Sequence, residues 1–222
     1  VPLTMDEQGV RVESVEDSGA QVIHLSPSHQ FPSGVVTPIA RRQSLLRWAQ
    51  KGEGRYIIED DYDSEFRFTG RPIPTLRISY MVLPPALLED YHRRLGFYSC
   101  TVPAMEQYTL ARFLSGGGFE THVNRMRVFY RGRRDQVLSA LEKSPLKGRY
   151  VVRGEDAGLH FLVGLDTWRS DRELARLAQE AGIRLSFLTD YGGGEEHWLV
   201  VNYPGADLER LPQALERLAV LL

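Results

Sequence analysis

Glu59, Asp60, Asp61, Asp63 and Glu65 crowd into one stretch of the chain, interleaved with Tyr62 and preceded at once by Tyr56, Ile57 and Ile58. Apolar residues running directly into carboxylates read as a buried strand that delivers acids to its C-terminal end, where open α/β sheets place their ligands. Like charges held this close raise one another's pKa unless a cation relieves them. Two other readings stand beside it at this level: a solvated acidic loop, or a magnesium site built from hard oxygen ligands. The magnesium reading lacks an accompanying glycine-rich phosphate loop. A second stretch, SPSHQFPSG at residues 26–34, ends another apolar run with hydrogen-bonding side chains, His29 and Gln30 among them. Its two prolines and Gly34 restrict the backbone to a defined turn.

The elements that must carry these groups follow from the apolar pattern. Runs at 22–25, 56–58 and 78–83 alternate with a helical stretch at 38–50, the signature of a parallel or mixed sheet with helical crossovers. From 103 to 142 the spacing becomes helical, interrupted by the glycines at 116–118, and a long connecting helix is expected. Strands at 150–152, 159–165 and 198–203 follow, with helices at 170–181 and 208–222. Asp171 and Glu173 suit the first turn of the former helix, and Gly182 its end. The expected division is a partial large domain over 1–115, then the connecting helix with a small α+β domain over 116–222.

The bulk composition narrows the classes. With 222 residues, 42% of them hydrophobic and 25% charged, the chain has the makeup of a globular protein, and a formal net charge of -2 gives no general attraction to nucleic acid. Arg125, Arg127, Arg131, Arg133 and Arg134 are read as a solvated helix face or a subunit contact rather than a DNA site. One cysteine, Cys100, excludes an intrachain disulfide and a cysteine-based zinc site. No apolar run approaches the roughly 20 residues that cross a bilayer, and the opening residues have no signal-like pattern, so a cytoplasmic protein without a membrane partner is expected.

Taken in order, SPSHQFPSG (26–34), PIARR (38–42), YIIEDDYDSEF (56–66), GRPIP (70–74), LRISYMVLPP (76–85) and AGLHF (157–161) resemble the fold-type-I aminotransferases, most closely the C-terminal domain of the MocR/GabR-type transcription regulators of the GntR superfamily. The resemblance covers nearly the whole chain. It implies an α/β fold comprising part of the large mixed-sheet domain and the small C-terminal domain, with pyridoxal 5'-phosphate as cofactor. Asp60 would face the pyridine nitrogen, where a carboxylate keeps the ring an electron sink. Tyr62 would donate to the phenolic oxygen, and Arg77 would grip the phosphate with its forked donors. His29 and Gln30 would lie beside the ring. The implied protein is a regulator with a DNA-binding winged-helix domain ahead of this chain, sensing an amino compound as a homodimer; the runner-up is a class I/II aminotransferase.

Two departures stand out. The family holds its cofactor as a Schiff base on a lysine that lies, after one more strand, between GRPIP and LRISY; here Pro74-Thr75 runs straight into Leu76-Arg77. No catalytic residue is therefore assigned, and Lys51, Lys143 and Lys147, the only lysines, are read as surface charges. The abrupt start and this internal jump lead us to expect a piece of a longer protein. Secondly, relatives place a carboxylate-clamping arginine near Asp190, where an aspartate repels such a group, so Asp190 and Tyr191 are candidate contacts to an effector bound differently or presenting an amine. Phe97, Tyr98, Met105 and Tyr108 are read either as part of a dimer interface, in which aromatic residues and methionine are enriched, or as core of their own subunit.

Overall fold

The computed structural model describes residues 1–60, 83–97, 102, 104–192 and 194–222. A short antiparallel hairpin opens it, β1 (Met5–Asp6) with β2 (Gly9–Val10), followed by helix α1 (Val12–Asp17). Strand β3 (Val22–Leu25), helix α2 (Ile39–Gln50) and strand β4 (Tyr56–Glu59) then form a parallel βαβ unit in which Val22 pairs with Tyr56 and Leu25 with Glu59. Ile23 and Leu25 point to one face and are buried with Val10, Val15, Leu45 and Trp48. On the opposite face Val22 and Ile58 stay about half exposed, at 52% and 51%. The expected parallel pair is thus present, with one apolar face packed and the other half exposed. The expected strand at 78–83 falls mostly outside the described residues.

Helix α3 (Pro85–Leu95) starts on a proline at N1, where the missing N–H costs nothing, and it was not expected from the apolar pattern. Helices α4 (Ala104–Ser115) and α5 (Gly118–Lys143) replace the single interrupted stretch, and Gly117, at φ 72°, makes the left-handed break between them. Lys143 belongs to the last turn of α5.

The C-terminal part holds the larger core. Strands β5 (Tyr150–Arg153), β6 (Phe161–Leu165) and β7 (Trp198–Val201) form an antiparallel sheet with β6 central, and all five residues of β6 are buried. Val137 and Leu141 of α5, Leu174 of α6 (Asp171–Glu180), and Leu215 and Leu218 of α7 (Leu211–Leu221) close over it. Each such side chain contributes about 1.5–3 kcal/mol relative to an exposed one. Ser170 caps α6 by accepting from the Glu173 N–H at 3.3 Å, and Gly182, at φ 77°, ends it in the expected place. No helix among the described residues is long and apolar enough to cross a membrane.

Candidate functional site

The parallel pair brings two of the sequence-derived segments to one edge. Strand β3 releases the turn at 26–34 and β4 releases Asp60, whose N–H donates to the Leu25 carbonyl at 2.8 Å. The Asp60 carboxylate is about half exposed, its Oδ2 3.5 Å from Nε2 of His24 on the neighbouring strand. Glu59 lies 3.7 Å from Arg42, which in turn donates to the carbonyls of Pro27 and Thr37 and so ties α2 to the base of the turn. Tyr62 and Arg77 lie outside the described residues, as do Asp61, Asp63 and Glu65.

The turn is held from within and from without. Gln30 N–H donates to the Val35 carbonyl at 2.9 Å, Gly34 N–H to the Gln30 carbonyl at 2.7 Å, and Thr37 N–H to the Pro27 carbonyl at 2.9 Å. The Phe31–Pro32 peptide is cis, and Gly34 has φ 70°, a conformation that favours glycine. Outside contacts come from the C-terminal part. Gly34 backs onto Gly154, which also has positive φ, and a Cβ on either would meet the other's backbone at ordinary van der Waals distance. His29 is buried, its ring 4.4 Å from that of His160, while Phe31 meets Tyr191 edge-on at 4.9 Å. Gln30 is partly exposed beside them. His160 and Asp171 carry structural weight that sequence reasoning missed; the only signal for the former was its place in AGLHF.

Asp190 and Tyr191 sit on the 3-10 turn Leu188–Tyr191. The Asp190 carboxylate accepts the Phe187 N–H at 2.8 Å, so it caps this turn while its residue remains exposed. The turn is anchored by buried Asp171, which accepts from Thr189 Oγ1 at 2.6 Å and from the His197 N–H at 2.7 Å. Phe97, Met105 and Tyr108 are 76%, 81% and 78% exposed, so they do not fill the core of their own subunit; Tyr98 lies outside the described residues.

The three lysines of the chain lie away from Asp60. Helix α2 runs from the end of β3 back to the start of β4, which puts Lys51 at the opposite edge of the sheet from Asp60. Lys143 closes α5, and Lys147 is paired with Glu142 at 2.5 Å. None of the three lysines therefore lies beside Asp60, whose carboxylate is about half exposed at the end of β4. Among the described residues no cluster has the makeup of a metal site.

No family model matches the chain. It is 35% identical over 209 residues to the HTH-type transcriptional regulator YdeL of Bacillus subtilis, covering 83% of this chain and 44% of that protein. It is 28% identical over 243 residues to the probable rhizopine catabolism regulatory protein MocR of Rhizobium meliloti, covering 98% of this chain and 49% of that one. The chain thus spans about half the length of the curated relatives it matches. Moreover, 209 and 243 aligned positions exceed what 83% and 98% of 222 residues supply, so both relatives carry residues within the matched region that this chain lacks. Among solved structures, the kynurenine aminotransferase of Pyrococcus horikoshii superposes with a TM-score of 0.75 at 21% identity, over 100% of this chain and 63% of that one. LysN, an α-aminoadipate aminotransferase of Thermus thermophilus, does so with the same TM-score at 22% identity. These likenesses establish the fold, that of the fold-type-I aminotransferases.

Proposed function

Because the chain belongs with the MocR-type HTH transcriptional regulators, as their aminotransferase-like part, we propose that it is the effector-sensing region of such a regulator, binding a pyridoxal phosphate-type cofactor and an amino compound. The observation that carries this reading is Asp60, delivered by β4 to the sheet edge where the turn at 26–34 also emerges. When bound, such a cofactor supplies an electron-withdrawing pyridinium and a carbon that reacts with amines. Asp60 would hold the ring nitrogen, His29 and Gln30 would flank the ring from the turn, and Tyr62 and Arg77 would take the phenolic oxygen and the phosphate. Tyr191, resting on Phe31, and Asp190 beside it would meet the effector, and the aspartate favours one that presents a cation. Binding across the turn and the C-terminal part would favour one arrangement of the two, and linkage would pass that preference to a DNA-binding domain elsewhere in the protein.

The absence of a suitably placed lysine disfavours full turnover by this chain and sets the regulator reading above that of a working aminotransferase. The exposed Phe97, Met105 and Tyr108 support a homodimer in which this patch is shared. Titration with pyridoxamine 5'-phosphate, which needs no lysine, tests the site: saturable binding is expected, weakened in Asp60→Asn because an amide cannot hold a pyridinium charge. Equal binding by the variant removes Asp60 from the site. Promoter-DNA affinity of the full-length protein that does not respond to any amino compound would remove the sensor reading. Sedimentation at micromolar concentration should return a dimer, and a monomer there would refute the shared patch.

A further inference from the structure

His160 stands one residue before β6, the strand with every residue buried, so its backbone is fixed by the most anchored element of the C-terminal core. Its ring is buried and reaches across to the turn at 26–34. Nε2 lies 3.2 Å from the Pro32 carbonyl oxygen, and since a carbonyl only accepts, Nε2 carries the proton and donates. The same ring packs on His29 at 4.4 Å and meets Phe31 edge-on at 5.2 Å.

We propose that His160 is the positioning residue of the site: it holds the turn that presents His29 and Gln30 at a fixed place against the small sheet, and it couples a ligand at the turn to that sheet. The assignment of the turn to a cofactor or effector site rests on the preceding reading; the coupling does not. The turn's internal bonds, Gln30 N–H to Val35 and Gly34 N–H to Gln30, set its shape. Arg42 fixes its base through the Pro27 and Thr37 carbonyls, which leaves its tip at Phe31 and Pro32 to be placed by other contacts. Pro32 has no N–H, so its carbonyl is the one backbone group through which that residue can be tethered, and His160 takes it. The Gly34–Gly154 approach adds a second contact point, with no side chain at either position to pull on. Phe31 also meets Tyr191 edge-on at 4.9 Å, but the His160 ring carries the hydrogen bond that ties the turn to the start of β6.

The test compares His160→Phe, which keeps a flat ring without the N–H, and His160→Gln, which restores a donor, in the full-length protein. His160→Leu replaces the phenylalanine variant if that ring cannot be accommodated. Hydrogen exchange read by mass spectrometry should show the amides of Gln30 and Gly34 opening about fivefold more often in His160→Phe, the factor that a lost hydrogen bond of ordinary net strength corresponds to. Strand β6 should stay as protected as before, and His160→Gln should recover most of the loss. Pyridoxamine 5'-phosphate affinity should fall and recover in parallel. Unchanged exchange at Gln30 and Gly34, an equal rise throughout β6, or a glutamine variant that behaves like the phenylalanine one would each overturn the proposal. If the turn loosens selectively while no protein in the set binds pyridoxamine 5'-phosphate, the positioning role stands and the cofactor reading falls.

Discussion

Replacing Asp171 by alanine should cost the C-terminal part about 3 kcal/mol, because a single buried carboxylate there joins three elements. Asp171 begins α6, yet its oxygens accept from Thr189 on the 3-10 turn at 2.6 Å and from the His197 N–H ahead of β7 at 2.7 Å. Bonds to a charged acceptor are worth about 1.5–3 kcal/mol each, and two that share one acceptor do not add fully. His197 raises the stakes: it is the one described non-glycine residue at positive φ, 70°, a conformation that costs about 1–2 kcal/mol and persists only where neighbours enforce it. Urea unfolding of the chain, followed by the fluorescence of Trp198 beside this site, measures the loss. With a slope of about 2 kcal/mol per molar, the midpoint should fall by about 1.5 M. Asp171→Asn should lose less, since its carbonyl still accepts from one donor while its amide faces the other. Thr189→Val should be costly in the parent and nearly silent beside Asp171→Ala. A loss below about 0.5 kcal/mol for Asp171→Ala, or a Thr189→Val effect undiminished in its presence, would refute the shared-acceptor account.

Gly34→Ala should destabilise the turn by about 1–2 kcal/mol through its positive φ alone, since a Cβ there meets His29 and Gly154 only at ordinary contact distance; thermal unfolding compared with the parent protein reads this, and an unchanged midpoint would refute it. Lys147, donating to Glu142 and attracting it, holds that carboxyl below its ordinary value. A lowered carboxylate pKa contributes stability above the ordinary glutamate range and loses it as pH falls through the lowered value, so an NMR titration of Glu142 should shift upward in Lys147→Ala, and an unshifted titration would remove the pairing. Tyr150, which also donates to Glu142, is pushed up, first by burial and then by that bond, and should stay protonated well into the alkaline range in a spectrophotometric titration.

Much of this architecture was readable in the residues. Strands β3 and β4 and the helix between them followed from short apolar runs bounded by turn residues, and α6 from Ser170, its acidic first turn and Gly182, all local signals with local causes. The hairpin at 5–10 was missed because two-residue strands leave no period to detect, and α3 because none of its residues is buried, so no core-facing stripe marks it. Asp171 illustrates the limit most clearly: a carboxylate in a first helical turn is fully accounted for by the helix dipole, so nothing in the pattern points to partners 18 and 26 residues away. Asp60, His29 and Gln30 were singled out through their strings, and the sheet edge they share follows from the parallel pairing. The contact from His160 to Pro32 spans 128 residues, beyond the reach of any local rule.

The two hydrophobic clusters share no residue: one draws its buried members from positions 10–48, the other from 137–218. Each core is thus assembled within its own stretch of chain, and the turn at 26–34 joins the two through Gly154, His160 and Tyr191. A substitution inside either cluster leaves the buried members of the other in place, so damage to one stretch reaches the other through that turn.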